Sequence, residues 1–240
     1  MIKRIIPNTI TCCNLLCGCM ATFFATQNAF ILAFCFIIVG AIFDFFDGMS
    51  SRLLHVPSKI GVELDSLADD ITFGLAPAMM LFAFLRPIIG WWSLIALLMA
   101  AFSALRLAKF NVDERQTSSF IGLATPANAI FWASLCSMPY AITAPAWMPW
   151  LLIALSLVSC YLLIAEIPFF SLKFKNLSWK DNADKYIFLF GAIVLVSACA
   201  IEATRYQHPE FALAAGAAVI LWYVLFNLVL MLYYNFQKQK

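Results

Sequence analysis

The sequence predicts an all-α fold, a polytopic membrane bundle of about eight transmembrane helices led by a short N-terminal interfacial helix. Three observations carry that expectation. The chain of 240 residues is 64% hydrophobic and only 12% charged, about half the charge content of a soluble domain. Apolar runs close to the roughly 20 residues needed to cross a hydrocarbon core recur along its whole length. Its lysines and arginines also fall with a strong bias onto one side of the spans so defined, as they do in the cytoplasmic loops of membrane proteins.

At the N-terminus, over residues 1–8, Lys3 and Arg4 alternate with Ile2, Ile5 and Ile6 ahead of Pro7. That pattern suits a helix lying in the headgroup plane. Basic residues before an apolar run also mark secretory leaders, but no A-x-A-like cleavage site follows. Spans are predicted at 9–27, 29–54, 61–85, 91–112, 125–142, 148–170, 186–202 and 210–234. The second and third are joined by the basic turn LHVPSK, where Pro57 cannot continue a helix, so 29–85 is predicted to fold as an antiparallel hairpin.

The longest connection, around 171–185, is too short for a soluble domain, and no span convincingly repeats another. Residues 1–240 are therefore read as a single integral membrane domain. With the N-terminus inside, Lys3, Arg4, Arg52, Lys59, Arg106, Lys109, Arg115, Lys173, Lys175, Lys180, Lys185, Lys238 and Lys240 share the cytoplasmic side. Only Arg86 and Arg205 fall opposite, and the two basic termini agree with an even number of spans. Cys12, Cys13, Cys17 and Cys19 lie in an apolar helical segment beside Gly18 and Ala21. Without a nearby histidine to complete a familiar zinc pattern, they read as close-packing residues. No nucleic-acid partner is expected.

The acids are the anomaly. Six of the thirteen fall within 44–70, although a carboxylate at depth in a bilayer costs about 2.5–3.5 kcal/mol even on mild scales. Asp44 and Asp47 are three residues apart, Asp65 and Asp69 four apart, so each pair projects from one helix face. A hairpin brings all four together near its cytoplasmic end. Four such carboxylates repel one another unless cations neutralise them, and an all-oxygen site suits hard ions such as magnesium or manganese. Proton or sodium transport, or ion pairing with Arg52 and Lys59, accounts for some of the acids. Neither accounts for the small residues among them. Gly48 follows Asp44 by four, Arg52 follows Gly48 by four, and Gly61 precedes Asp65 by four. The glycines leave room for a ligand near the backbone, and arginine offers a planar fork to phosphate. Together these residues read as a pyrophosphate site at the membrane surface.

The run D44-x-x-D47-G48-x-x-S51-R52-x8-G61-x3-D65-x3-D69 resembles the signature of the CDP-alcohol phosphatidyltransferases, D-x-x-D-G-x-x-A-R-x8-G-x3-D-x3-D. It departs only at Ser51, a small-for-small change from alanine. The segments 7–18, 65–78, 104–112 and 120–129 are similar to the serine-accepting branch of that family. The resemblance implies attack by the hydroxyl of L-serine on CDP-diacylglycerol, giving phosphatidylserine and CMP. It implies two divalent cations, Mg2+ or Mn2+, held by Asp44, Asp47 and Asp65. Asp69 would be a further ligand or the general base for the serine proton. Gly48, Ser51, Arg52 and Gly61 would line the CDP pocket, with Asn8 and Thr11 touching the nucleotide. A homodimer in the cell membrane, its active site and termini cytoplasmic, is implied as well.

Serine also brings a carboxylate and an ammonium group. Arg106 and Lys109 lie three apart at the cytoplasmic end of the fourth span, with Asn111 close by, and are the candidates for serine binding. Snorkelling to the interface is their ordinary alternative. Asp70 points about 100° away from Asp69 on a helix and is excluded from the metal site, and Glu63 and Glu166 are read as helix-end or packing carboxylates. Other acceptors, namely glycerol phosphate, inositol or inositol phosphate, keep the same chemistry. A transporter would instead spread its acids through the membrane depth.

Overall fold

The computed structural model describes residues 2–56, 58–113, 120–138, 145–169 and 178–238. Pro57, Arg115, Lys173, Lys175 and Lys240, and the ends of the fifth and sixth predicted spans, lie outside them. The described chain is almost wholly helical: α1 (Ile2–Thr26), α2 (Phe30–Leu53), α3 (Lys59–Asp69), α4 (Ala76–Ile89), α5 (Leu98–Val112), α6 (Thr125–Ser137), α7 (Met148–Ile164), α8 (Trp179–Arg205) and α9 (Ala214–Lys238). Five stretches are long and apolar enough to cross a membrane, and one of them, Lys59–Val112, is long enough for two passes. It breaks at Gly90, whose φ of 59° opens a tight 3-10 stretch over Gly90–Leu97. This is an integral membrane bundle.

The residues expected to form a separate interfacial helix are instead the first turns of α1, which runs through Pro7 without interruption. Three helices end alike: Asn28, His55 and Gln207 take left-handed φ values of 57°, 52° and 55°. In each case the next residue reaches back five positions, Ala29 to Phe24, Val56 to Ser51 and His208 to Ala203, at 3.0–3.1 Å. This closure satisfies end carbonyls that no further turn would meet. Ser58 caps α3, its hydroxyl accepting from the Gly61 N–H at 3.0 Å.

Between α3 and α4 the helix widens into a π-helical turn, Asp70–Leu75, where the Ala76 N–H bonds to the Ile71 carbonyl five residues back. Gly74 in that turn lets α5 come close, since a Cβ there would sit 2.6 Å from the Ser103 hydroxyl. Helix α6 spans only 13 residues, about 20 Å at 1.5 Å per residue. It is largely buried, packing on α2, α4 and α9, with Ala129, Trp132 and Ala133 in the core beside Phe73, Met80 and Leu81. Helix α7 stops at Ile164 rather than reaching residue 170, because the following chain turns extended. There Pro168–Phe169 (β2) pairs antiparallel with Phe120–Ile121 (β1). The Leu123 N–H takes up the Leu162 carbonyl of α7 at 2.9 Å. Helix α8 is kinked at Asn182, so its straight part begins close to the start of the predicted span. The eight cysteines are free thiols.

At the end of the bundle away from the acids, Trp91, Trp92, Trp147 and Trp150 are exposed. Trp92 and Trp150 meet edge to face, and the Arg86 guanidinium lies 3.9 Å over the Trp91 ring. An amphipathic aromatic group of this kind belongs at a membrane–water boundary.

Candidate active site

Helices α2 and α3 scarcely touch. Both pack against α1 instead, so the predicted hairpin is an open one. A closed pair would leave no room for a ligand. The opening forms a cleft of about 360 Å³ walled by Pro7, Asn8 and Thr11 of α1, by Asp47, Gly48, Ser51 and Arg52 of α2, and by Gly61 and Asp65 of α3. All six residues expected at the nucleotide are in that wall. Gly48 meets nothing nearer than the Arg52 guanidinium, at 3.9 Å from where a Cβ would stand. The space beside it therefore belongs to the cleft. Arg52 is tethered by its own helix, its Nε donating to the Gly48 carbonyl at 2.9 Å.

Asp44, Asp47 and Asp65 converge, each offering a carboxylate oxygen within 4.8 Å of the other two. That separation is about twice the ion–oxygen distance of a hard divalent cation, so one ion can touch all three. Asp47 is buried, and its Oδ2 and the Oδ1 of Asp65 have no hydrogen-bond partner among the described residues. Orphaned buried carboxylate oxygens facing one point fit a cation better than any neutral ligand.

Asp69 stands apart from this trio. One turn beyond Asp65, it accepts a hydrogen bond from Asn14 Nδ2 at 3.0 Å. Asn14 is fully buried on α1, and its main-chain carbonyl accepts from the Thr72 hydroxyl at 3.0 Å. The helices can come this close because Gly18 and Gly40 face Thr72, where a Cβ would lie 2.5 Å and 2.6 Å from its side chain. Close packing of small residues on α1 and α2 thus sets the place of Asp69.

The CDP-alcohol phosphatidyltransferase family matches residues 4–171, more than half of the chain and every residue just described. The chain belongs to that family. It is similar to the CDP-diacylglycerol–serine O-phosphatidyltransferase of Bacillus subtilis (strain 168), with 36% identity over 167 residues covering 68% of this chain and 89% of that protein. The enzyme of the same name from Mycobacterium leprae is 30% identical over 213 residues, covering 85% of this chain and 69% of the relative. That from Helicobacter pylori (strain 26695) is 35% identical over 127 residues, covering 52% and 54%. As a member of a phosphatidyltransferase family, the chain carries its signature acids where the bundle opens.

The remaining candidates scatter. Arg106 is buried rather than snorkelling: Nη1 donates to the Thr125 hydroxyl at 2.8 Å, while Nε has no partner among the described residues. Lys109 instead pairs with Glu166 at 3.3 Å, both groups well exposed. Asn111 bonds to the Ser66 hydroxyl at 2.8 Å, tying α5 to the helix of Asp65 and Asp69. Asp70 faces Ser103 of α5, away from the trio. The residue that sequence reasoning missed is Asn14. A signal was present, since Asn8, Thr11 and Asn14 recur every three residues along a largely apolar helix.

Proposed function

We propose that the protein moves the phosphatidyl group of CDP-diacylglycerol to the hydroxyl of L-serine, releasing CMP. The observation that carries this reading is the convergence of Asp44, Asp47 and Asp65 on a cleft that also presents Arg52, Gly48 and Gly61. The choice of serine is supported by the names of the relatives and by a buried arginine, Arg106, with an unused donor. In this reading Asp44, Asp47 and Asp65 hold two divalent cations, magnesium or manganese, with Asp69 completing the set or acting as base. Bound there, such ions would polarise the phosphoryl oxygens and balance the charge of the departing CMP.

The chain's own groups divide the remaining work. Arg52, held by Gly48, presents its outer N–H groups to the pyrophosphate, and Gly48 and Gly61 leave room for the nucleotide beside the backbone. Ser51, Asn8 and Thr11 line the same wall. Arg106 takes the serine carboxylate, while Lys109 and Asn111 act at one remove through Glu166 and Ser66. The serine oxygen then bonds to the phosphorus that carries diacylglycerol, and the bond from that phosphorus to the CMP oxygen breaks. CMP departs with the electron pair, and the hydroxyl proton passes to Asp69. Asn14 engages Oδ1 of Asp69 and leaves Oδ2 for that proton. The basic bias supports a cytoplasmic cleft and cytoplasmic termini in the cell membrane, and in this reading the protein pairs as a homodimer.

The test is release of CMP from CDP-diacylglycerol by purified protein with magnesium or manganese, expected only when serine is added. Turnover with glycerol phosphate but not serine would overturn the acceptor. No turnover with any alcohol would overturn the function. Chemical cross-linking in membranes checks the dimer, which a purely monomeric pattern would refute.

A further inference from the structure

Asn128, on the first turn of α6, is fully buried, and neither atom of its amide has a hydrogen-bond partner among the described residues. The shortage is local. One turn further along the same face, Trp132 Nε1 donates to the Ser159 hydroxyl of α7 at 2.9 Å. An unpaired amide inside a membrane bundle is costly and calls for a partner.

Asn128 lines a cavity of about 130 Å³ between α6, α7 and α9, whose other walls are mainly apolar, among them Leu123, Phe131, Leu162, Ile220 and Val224. It shares no lining residue with the acidic cleft. Leu155, Val158 and Leu221 also border it and are 36%, 52% and 50% exposed. In a membrane bundle that flank faces lipid, so the cavity opens sideways into the bilayer. Its depth follows from its neighbours. The Leu162 carbonyl is held by the Leu123 N–H at the end of the bundle where Thr125 holds Arg106. Leu155 lies two turns inward along α7, about 10 Å at 1.5 Å per residue. The cavity thus spans the level at which the ester carbonyls of a leaflet give way to methylenes. Water alone is a poor occupant for walls this apolar.

We infer that this cavity is a lipid site: Asn128 donates to an ester carbonyl of a glycerolipid, and the apolar walls take the first methylenes of its acyl chain. The Asn128 oxygen accepts from water of the ester layer. The occupant is either the acyl arm of the reacting lipid or a bystander phospholipid, and the ester chemistry is common to both.

The test places the full chain in phosphatidylglycerol nanodiscs doped with a phospholipid carrying a diazirine near the carboxyl end of one acyl chain, and maps cross-links by mass spectrometry. Labelling is expected at Leu123, only 3% exposed and so shielded from the lipid annulus that covers Val196 of α8, 47% exposed, and at the partly buried Phe131 beside it. Asn128→Leu and Val224→Trp should each lower labelling at Leu123 and Phe131 by about threefold or more, the loss expected when a polar anchor or the free volume is removed. Labelling at Val196 should stay unchanged as a control for probe access, and an unchanged melting temperature in detergent reports that the variants are folded. Suppression by excess CDP-diacylglycerol beyond that by equal phosphatidylglycerol assigns the site to the reacting lipid. Equal suppression by the two assigns it to a bystander. Absence of label at Leu123 and Phe131 in the unaltered protein, or equal labelling in both variants, overturns the site.

Discussion

Replacing Asn14 by Leu is the sharpest probe of how the active site is held. The substitution keeps the branched outline of the side chain, at somewhat greater volume, and leaves the main-chain carbonyl that binds Thr72. What it removes is one hydrogen bond, 3.0 Å long, from a fully buried amide to the Asp69 carboxylate. Bonds to charged groups are worth about 1.5–3 kcal/mol, and each 1.36 kcal/mol is tenfold in rate, so kcat should fall roughly 10- to 150-fold. Asn14 is not part of the cleft wall. The KM for CDP-diacylglycerol should therefore stay within about twofold, the pattern of a contact that matters in the transition state rather than in binding. The assay is CMP release at varied lipid and saturating serine, with thermal melting in detergent as a check on folding. A kcat within about twofold of the original in a protein of unchanged melting temperature would refute the claim that Asn14 orients Asp69.

Three further outcomes follow from the same geometry. Gly18→Ala places a methyl 2.5 Å from the Thr72 hydroxyl and 2.8 Å from its Cα, and overpacking against backbone should cost about 1–3 kcal/mol. An unaltered melting temperature in detergent would contradict that contact. Arg106→Lys keeps the charge but loses the planar fork that reaches Thr125. The KM for serine should rise about tenfold or more with little change in that for CDP-diacylglycerol, and an unchanged serine KM would remove Arg106 from the acceptor site. Chelation of divalent ions should abolish CMP release, with recovery on adding manganese or magnesium but not sodium. Full activity after exhaustive chelation would contradict a metal role for Asp44, Asp47 and Asp65.

The parts of the site that were legible beforehand are those set by spacing within one helix. Asp44 with Asp47, and Gly48 with Arg52, share faces because three and four residues nearly complete a turn. The family resemblance put Ser51, Gly61, Asn8 and Thr11 at the nucleotide, and all four line one cleft. What it missed depends on contacts distant in sequence. The gap between α2 and α3 is framed by α1, on which both pack, and that packing depends on two glycines and a threonine meeting from three different segments. Lys109 and Asn111 read as acceptor ligands from their position alone, whereas their hydrogen-bond partners Glu166 and Ser66, 57 and 45 residues away, emerge only in the folded chain. Helix α6 was expected to run further because residues 125–142 are predominantly apolar. Composition does not distinguish a lipid-facing span from a short helix shielded by its neighbours.

The π-helical turn over Asp70–Leu75 gives the third span a hidden constraint of length. It inserts one residue between the acids Asp65 and Asp69 and the buried face carried by Ala76, Met80 and Leu81. A single deletion there would restore a regular helix and rotate one half against the other by about 100°, one residue's share of a 3.6-residue turn. The acids would then face away from their partners while the rest of the helix stayed packed. Substitutions in this turn leave that relation intact, whereas insertions and deletions do not. The stretch should therefore tolerate no change in number, and changes in kind only outside the buried Thr72, Phe73 and Gly74.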